Sequence, residues 1–278
     1  HRDLHSFPTR RSSDLSIQIK KLELDLNLKL FDKINNRIFL TDNGNMLYEY
    51  TQRIFELVSE VESKLLDEQS SISGNINIGG SNTPGTYILP EIIGKFKNEY
   101  PLVNVNLHIA NTSEISHLVN NGTLDFAING GNSHYSDNIC VEKLFDDELI
   151  IVASPKNKYS LRGIIDIENF KDLSFIVHQN DSQLYTYYLK IIKEIGIPEK
   201  TGFSLGNIAA IKRAVSANLG VSLIPYAAVS VELKTKHLKK LAYNSDKWYY
   251  PYSLIYNKNK YLSLASKKMI DMIKNIMK

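Results

Sequence analysis

The segment SIQIKKLELDLNLKLF at residues 16–31, followed by DKINNRIFLTDNG at residues 32–44, determines how the rest of the chain is interpreted. Apolar residues recur at near-helical spacing at Ile17, Leu22 and Leu26, which predicts a helix. RIFLT, residues 37–41, is typical of a short strand, and a second helical pattern begins at Thr41. The segment therefore predicts a helix, a strand and a second helix.

The second helical pattern is long, from residue 41 to about residue 69. Leu47, Tyr50, Ile54, Leu57 and Val61 repeat at alternating steps of three and four. This narrow seam is the spacing of a coiled coil, although an ordinary amphipathic helix on a domain face is the alternative. Because segments of different pattern flank it, we favour a linker and dimerisation helix at residues 42–70.

The first fifteen residues, HRDLHSFPTRRSSDL, differ in composition from the remainder of the chain. They are rich in Arg, Ser and His, and they show no regular apolar period. They resemble translated adapter sequence joined to a coding frame, and a flexible basic arm is the alternative. We interpret residues 1–15 as a non-native segment and leave them out of the fold prediction.

Downstream of a loop at residues 70–75, strand and helix patterns alternate. Strands are predicted at residues 75–80, 103–109, 124–129, 149–154, 174–178, 221–225 and 252–257, and helices at residues 89–99, 113–121, 184–195, 208–218 and 262–277. Such alternation predicts parallel sheets with helices on both faces. The expected fold is an α/β architecture of two similar lobes.

Composition limits the class of protein. The net charge of +3 and the pI of about 8.6 permit a nucleic-acid partner without requiring one. One cysteine, Cys140, excludes an internal disulfide framework and suits a reduced cytoplasm. No apolar run approaches the roughly 18 residues of a membrane span, and no secretory signal pattern opens the chain. We expect a cytoplasmic protein without a membrane partner.

Catalytic and metal-binding motifs are absent from the sequence. It has no nucleophile elbow, dinucleotide-binding fingerprint, phosphate-binding loop or zinc-protease helix. The seven histidines are scattered, and none has metal-ligand spacing. Cys140 is more plausible as a structural thiol than as a nucleophile. We expect no enzyme activity, no cofactor and no metal.

Residues 16–44 resemble the second half of the winged helix-turn-helix of LysR-type transcriptional regulators. In that family a serine, a glutamine and basic residues lie on a recognition helix that ends in Leu-Glu. A Leu-Phe pair, a basic wing and Leu-Thr-x-x-Gly follow. The resemblance implies DNA contacts from six residues, namely Ser16, Gln18, Lys20, Lys21, Lys33 and Arg37. Gln can bond a base edge, whereas Lys and Arg neutralise phosphates.

The resemblance implies a partial winged helix-turn-helix at residues 16–41, because the family places two further helices ahead of the recognition helix. Residues 1–15 offer no matching apolar face. We therefore predict that this chain binds operator DNA poorly or not at all, and a clear, salt-sensitive gel shift on the cognate promoter would contradict that prediction.

Residues 74–130 and 205–229 resemble the two lobes of the LysR effector-binding domain, which has a periplasmic-binding-protein-like fold. The first stretch has the strand, the Ser/Thr-rich turn and the Leu-Pro and Tyr-Pro pairs of the family. Asn218 stands where a glycine is common, which a left-handed helix cap tolerates. The implied domain spans residues 74–278, with one lobe at 74–148 and 252–278 and the other at 149–251.

Two-lobed α/β domains bind ligands at the carboxyl ends of strands, where helices begin. Hydroxyls and free N–H groups there suit an anion. The candidate effector-binding residues are Ser81, Asn82, Thr83, Thr112, Asn129, His178, Gln179 and Asn207. Each can also serve in a turn or a cap, and for Asn207 a helix N-cap is the preferred interpretation.

The sequence thus predicts a transcriptional regulator that binds double-stranded operator DNA, senses a small anionic effector and forms a homodimer or homotetramer. The main alternative is a solute-binding protein of the periplasmic type, which shares the two-lobed body. A third is an α/β enzyme such as a deaminase or transferase, for which convergent catalytic groups are needed.

Overall fold

The computed structural model describes residues 12–34, 37–65, 72–243 and 247–277. The chain forms two compact units, the first ending at Glu62 and the second beginning at Ser63. Among the described residues, no helix has both the length and the apolar character needed to cross a bilayer.

The first unit contains α1 (Ser12–Leu26), the antiparallel hairpin of β1 (Phe31–Ile34) and β2 (Arg37–Leu40), and α2 (Asp42–Leu65). The predicted helix–strand–helix order is confirmed, and β1 is an additional strand. α1 begins at Ser12, so residues 12–15 of the segment interpreted as non-native are helical, and the helix starts four residues before the apolar pattern does. Ser and Asp in this stretch suit the first turn of a helix. The prediction for residues 1–11 falls outside the described residues.

The junction between the hairpin and α2 depends on two residues of the LTDNG segment. Thr41 Oγ1 accepts a hydrogen bond from Gly44 N at 3.0 Å and donates one to Lys29 O at 2.7 Å. A Cβ atom on Gly44 would lie 2.1 Å from Leu30 O, so only glycine permits this approach. The Thr-x-x-Gly spacing therefore has a packing cause: Thr41 caps the helix while Gly44 lies against the preceding loop.

α2 has 24 residues, which corresponds to a length of about 36 Å. Four of the predicted seam residues, Tyr50, Ile54, Leu57 and Val61, are between 49% and 59% exposed. These four apolar side chains therefore form a row along α2 that no other part of the described chain covers.

The second unit is a mixed α/β structure. Its strands are β3 (Gly74–Ser81), β4 (Val103–Ala110), β5 (Phe126–Gly130), β6 (Ile139–Ala153), β7 (Ile164–Ile165), β8 (Phe175–His178), β9 (Thr201–Leu205), β10 (Ser222–Pro225), β11 (Lys239–Tyr243) and β12 (Trp248–Asn257). Its helices are α3 (Asn82–Tyr87), α4 (Leu89–Glu99), α5 (Thr112–Asn120), α6 (Ile167–Lys171), α7 (Gln183–Ile195), α8 (Ile208–Ser216), α9 (Tyr226–Lys234) and α10 (Leu264–Ile276).

The main sheet has the order β4-β3-β5-β12-β6-β11-β7, and β10 also pairs with β6. β3 is parallel to β4 and β5, as predicted, and β8 is parallel to β9. The prediction of parallel sheets is wrong for β12, which is antiparallel to β5 and β6, and for β10 and β11, which are antiparallel to β6. β6 and β12 carry the chain between the lobes in opposite directions, so they pair antiparallel.

The fold has two lobes, each a layered arrangement of strands and helices. We call β3, β4 and β5 with α3, α4, α5 and α10 the first lobe, and β8, β9 and β10 with α7, α8 and α9 the second lobe. Fully buried apolar residues fill both, including Ile76 and Phe126 in the first lobe and Ile176 and Ile211 in the second. α4 has the predicted bounds, while α3, α6 and α9 and the strands β7, β9 and β11 were not predicted.

Candidate functional site

A cleft lies where strands of both lobes end and helices begin. It has a volume of about 400 Å³, a figure that includes the open solvent at its mouth. The lining residues are Ser81, Asn82, Thr83, Asn111, Thr112, His178, Asp181, Ser182, Gln183, Leu184, Ile208 and Tyr250. Both lobes contribute, so a bound molecule would contact the two at once.

Five of the candidate residues from the sequence line this cleft. Ser81, Asn82 and Thr83 come from the end of β3 and the start of α3, and Thr112 begins α5. His178 is the last residue of β8 and comes from the second lobe. Strand-end position brings these five together across the two lobes.

The Ser81–Thr83 turn is held tightly against the first lobe. Ser81 is 5% exposed, and its Oγ accepts a hydrogen bond from Gly130 N at 2.9 Å. A Cβ atom on Gly80 would lie 2.6 Å from Gly85 Cα, so the two glycines let α3 start directly over the strand end. Close backbone packing therefore fixes the position of the hydroxyls at 81 and 83.

Besides α3, three helices begin at the cleft, and each of these three has a polar N-cap. Asn111 Oδ1 accepts from Glu114 N on α5 at 2.8 Å, Ser182 Oγ accepts from Tyr185 N on α7 at 3.1 Å, and Asn207 Oδ1 accepts from Ala210 N on α8 at 2.8 Å. The preferred N-cap interpretation of Asn207 is confirmed. The positive ends of three helix dipoles therefore converge on one cavity, where first-turn N–H groups favour an anion.

His178 is 7% exposed, and its Nδ1 has no hydrogen-bond partner among the described residues. Burial lowers the pKa of His178, because a charged imidazolium loses its hydration, while nearby Asp181 acts in the opposite direction. The imidazole is therefore neutral near pH 7, and its Nδ1 is a buried, unpartnered nitrogen of a residue that lines the cleft.

The other three candidate residues do not line the cleft. Asn129 is fully buried, and its Nδ2 donates to Thr112 O at 3.3 Å and to Ser116 Oγ at 3.0 Å. It therefore supports α5 beneath Thr112. Gln179 is exposed and its amide lies beside Gly206, and Asn207 caps α8 as described.

Sequence reasoning missed seven lining residues, namely Asn111, Asp181, Ser182, Gln183, Leu184, Ile208 and Tyr250. Asn111 and Ser182 carried a signal, since each is a cap residue shortly after a predicted strand. Tyr250 carried none, because it reaches the cleft through the pairing of β12 with β6. Its ring packs edge-on against Tyr187 at 4.8 Å.

Charge in the cleft is sparse. Among the described lining residues, none is Lys or Arg, and Asp181 is the one carboxylate. Attraction for an anion must therefore come from N–H groups, hydroxyls and amides, whose directional bonds select geometry as well as charge.

The six candidate DNA-contacting residues lie in the first unit. Ser16, Gln18, Lys20 and Lys21 lie on α1, and all four are exposed. In the hairpin, Lys33 lies on β1 and Arg37 on β2, and both are exposed as well. Polar and basic side chains thus occupy the surface of both the helix and the hairpin.

Comparison with known proteins identifies the relatives of this chain. The family described as the LysR substrate binding domain matches residues 69–278. A probable RuBisCO transcriptional regulator of Cyanidium caldarium is 35% identical over 257 residues, covering 91% of this chain and 81% of the relative. The corresponding protein of Porphyra purpurea is 34% identical over the same length and coverage.

Solved structures show the same fold. The effector-binding domain of QuiR in complex with shikimate has a TM-score of 0.65 at 25% identity, covering 74% of this chain and 98% of that chain. The regulatory domain of CcmR from Synechocystis, in complex with 2-PG, has a TM-score of 0.66 at 20% identity, covering 74% and 98%. An OxyR variant of Corynebacterium glutamicum covers 95% of this chain and 82% of its own, with a TM-score of 0.69 at 19% identity.

The matching family covers the whole two-lobed unit, and the sequence relatives that extend across both units are transcriptional regulators. This agreement favours the regulator over the solute-binding protein and the enzyme. The chain belongs to the LysR family of transcriptional regulators.

Proposed function

We propose that this regulator binds a small organic anion in the cleft between its lobes and acts by binding, not by catalysis. The observation that carries the proposal is the convergence of the N-termini of α5, α7 and α8 on one cavity. Two structural neighbours support the same ligand chemistry, since shikimate and 2-PG are both small organic anions. Ser81 and Thr83 supply hydroxyls, and Thr112 and His178 complete the polar lining.

Protonation of His178 is coupled to binding in this proposal. In the empty cleft burial keeps the pKa of His178 low. An anion beside the ring favours imidazolium, so binding takes up a proton. The affinity for an anion should therefore rise as pH falls below the pKa of the ring in the complex, and level off below the lower pKa of the free ring.

The experiment is a thermal-shift screen of small carboxylates and phosphorylated acids, beginning with shikimate and 2-phosphoglycolate. Hits are then titrated calorimetrically at about pH 6 and about pH 8. The wild-type affinity should depend on pH, and that dependence should disappear in His178→Ala. His117→Ala, at an exposed site on α5, controls for loss of a histidine. An unchanged pH profile in His178→Ala would contradict the coupling, and absence of any anion hit would contradict the ligand class.

The DNA-binding part of the proposal assigns residues 16–41 to a partial winged helix-turn-helix. Gln18 and Ser16 are suited to base edges, while Lys20, Lys21, Lys33 and Arg37 are suited to phosphates. Replacing Lys21 by Ala should weaken binding to all sequences and lower the salt-dependence slope by about one, whereas Gln18→Ala should relax sequence preference. Gel-shift titrations at several salt concentrations separate the two effects.

Residues 42–70 form the linker and dimerisation helix in this proposal, and the effector domain occupies residues 74–278. Its lobes are bounded at residues 148/149 and 251/252. Uncovered apolar residues along α2 support pairing with a second copy, as a homodimer or homotetramer. Effector-driven closure of the lobes would then alter subunit packing and re-space the recognition helices on operator half-sites in the cytoplasm.

A further inference from the structure

Two helices that line the cleft also contact each other one turn beyond it. On α3, Thr83 lines the cleft and Tyr87 lies four residues further on; on α8, Ile208 lines the cleft and Lys212 lies four residues further on. Lys212 Nζ is 4.5 Å from the centroid of the Tyr87 ring. Because α3 belongs to the first lobe and α8 to the second, this contact crosses between the lobes.

The ammonium of Lys212 is held in place from the second lobe. Its Nζ lies 2.7 Å from Glu232 Oε1 and donates to Ala228 O at 2.8 Å, both on α9. The Lys212 side chain is 13% exposed and that of Glu232 is 28% exposed. Residues of the second lobe thus position the Lys212 ammonium, which contacts the Tyr87 ring of the first lobe.

Partial removal from water is what gives this contact its strength. A cation over a ring contributes little when it is well hydrated, and several times more when it is desolvated. Glu232 offsets the cost of burying the charge, so the ammonium can face the ring without leaving an unpaired ion. α9 also packs against α3, so the contact lies beside a second interlobe contact.

We propose that Lys212 and Tyr87 form an interlobe latch that sets how readily the cleft opens. Tyr87 shares a six-residue helix with Asn82 and Thr83. Separation of the lobes would therefore move the Tyr87 ring away from Lys212 and, at the same time, move Asn82 and Thr83 away from the second lobe. Lys212 and Tyr87 are positioning residues that act on the site through α3 and α8. The inference does not depend on which effector binds.

The test measures opening directly, through maleimide labelling of Ser81→Cys in a Cys140→Ser background. Ser81 is 5% exposed, so its thiol counterpart should react with a maleimide mainly when the lobes part. At low reagent concentration the labelling rate is proportional to the open fraction. Tyr87→Leu and Lys212→Met should each raise that rate about three- to thirtyfold, the factor that a desolvated cation–π contact represents.

Two variants serve as matched controls. Tyr87→Phe keeps the ring and should label at the unmodified rate, which separates the ring from the hydroxyl. Lys158→Met removes a cation that lies 4.7 Å from the ring of its neighbour Tyr159, and it should also leave the rate unchanged. Urea unfolding of every variant, measured in parallel, identifies any rise that comes from global destabilisation.

Several outcomes would overturn the latch. Labelling of Tyr87→Leu and Lys212→Met at the control rate would show that the contact does not restrain opening. Equal acceleration in Tyr87→Leu and Tyr87→Phe would show that the ring face is not responsible. If Tyr87→Leu fails to fold, Lys212→Met alone decides, because Glu232 keeps solvent contact when its partner is removed.

Discussion

His178 shows how burial changes the chemistry of a single residue. In the sequence it is a histidine at the end of a strand, whereas in the fold it is 7% exposed, with a pKa lowered chiefly by lost hydration. A lowered pKa means that the unfolded chain binds a proton more readily than the folded one. This difference makes stability depend on pH.

The expected consequence is a loss of stability in acid. At pH values well above about 6.5, the ordinary pKa of histidine, the ring is neutral in both states and stability does not depend on its titration. As pH falls below that value the unfolded state gains protons first, so the free energy of unfolding decreases, by at most about 1.4 kcal/mol per pH unit. Urea unfolding of wild type and His178→Gln should diverge only on the acid side. Parallel curves for the two proteins across this range would contradict the prediction.

Asn218 is a second residue whose type matters for backbone reasons. Its φ of 63° lies in the left-handed region, as predicted. Asn218 N donates to Val215 O at 2.9 Å and Leu219 N donates to Ala214 O at 3.2 Å, the Schellman pattern that ends a helix.

Replacements of Asn218 should therefore show whether its backbone conformation or its side-chain contacts determine stability at this position. Asn218→Ala should lower the free energy of unfolding by about 1 kcal/mol, because alanine is strained in this region. Asn218→Gly should be near neutral, since glycine adopts the conformation without strain. Chemical unfolding of the two variants checks this, and equal stability of Ala and Gly at this site would argue against backbone strain.

At the scale of elements, α3 depends on close approach to β3. A Cβ atom on Gly80 would lie 2.6 Å from Gly85 Cα, whereas a Cβ atom on Gly94, within α4, meets nothing within 4 Å. Gly80 and Gly94 are both in the first lobe, so alanine substitutions at these two positions can be compared directly.

Gly80→Ala should cost about 1–3 kcal/mol through overpacking against backbone. Gly94→Ala should instead stabilise by up to about 1 kcal/mol, because alanine is the better helix former. Urea unfolding measures both, and the opposite signs are the decisive feature. A stable Gly80→Ala protein would show that α3 can move away from the strand.

A buried ion pair joins three parts of the first lobe. Lys260 Nζ lies 2.7 Å from Asp125 Oδ1, with 13% and 6% of the two side chains exposed. Asp125 Oδ2 also accepts a hydrogen bond from Asn77 N at 2.8 Å. The pair therefore connects the loop before β5, the strand β3 and the chain after β12.

Breaking this ion pair should lower the free energy of unfolding by more than breaking an exposed pair would, because both of its side chains are largely buried. Asp125→Asn leaves Lys260 without its counter-charge and should destabilise by about 3–5 kcal/mol. Asp146→Asn breaks an exposed pair with Lys143, also 2.7 Å long, and should cost less than about 1 kcal/mol. Unfolding midpoints in urea compare the two, and a similar loss in both variants would refute the role of burial.

At the scale of the whole molecule, α2 leaves an apolar row uncovered in a single chain. Ile54 is 59% exposed, so a charge there costs the isolated chain little, but it would be buried in a paired helix. If α2 pairs two chains as proposed, Ile54→Glu should shift the protein toward monomer with unchanged secondary structure. Light scattering after size exclusion measures the mass, with Gln52→Glu on the same helix as control. An unchanged mass for Ile54→Glu would exclude α2 as the pairing surface.

Much of the fold could be predicted because it depends on near neighbours. The apolar period and the flanking Pro101 predicted α4 to the residue, and cap chemistry predicted Asn207 and Asn218. The cleft was predicted in part, since strand-end position does bring Ser81, Thr112 and His178 to one cavity. Asn129 also ends a strand, but strand alternation turns its side chain toward α5.

The sequence by itself determined local structure and the family, because helical periods, caps and the ordered motifs at residues 16–44 and 74–130 involve residues close together in the chain. Only the tertiary structure decided the antiparallel course of β6 and β12, the entry of Tyr250 into the cleft and the contact of Lys212 with Tyr87. These pairings join residues about a hundred positions apart. Their register and burial depend on how whole lobes pack, which no local pattern encodes.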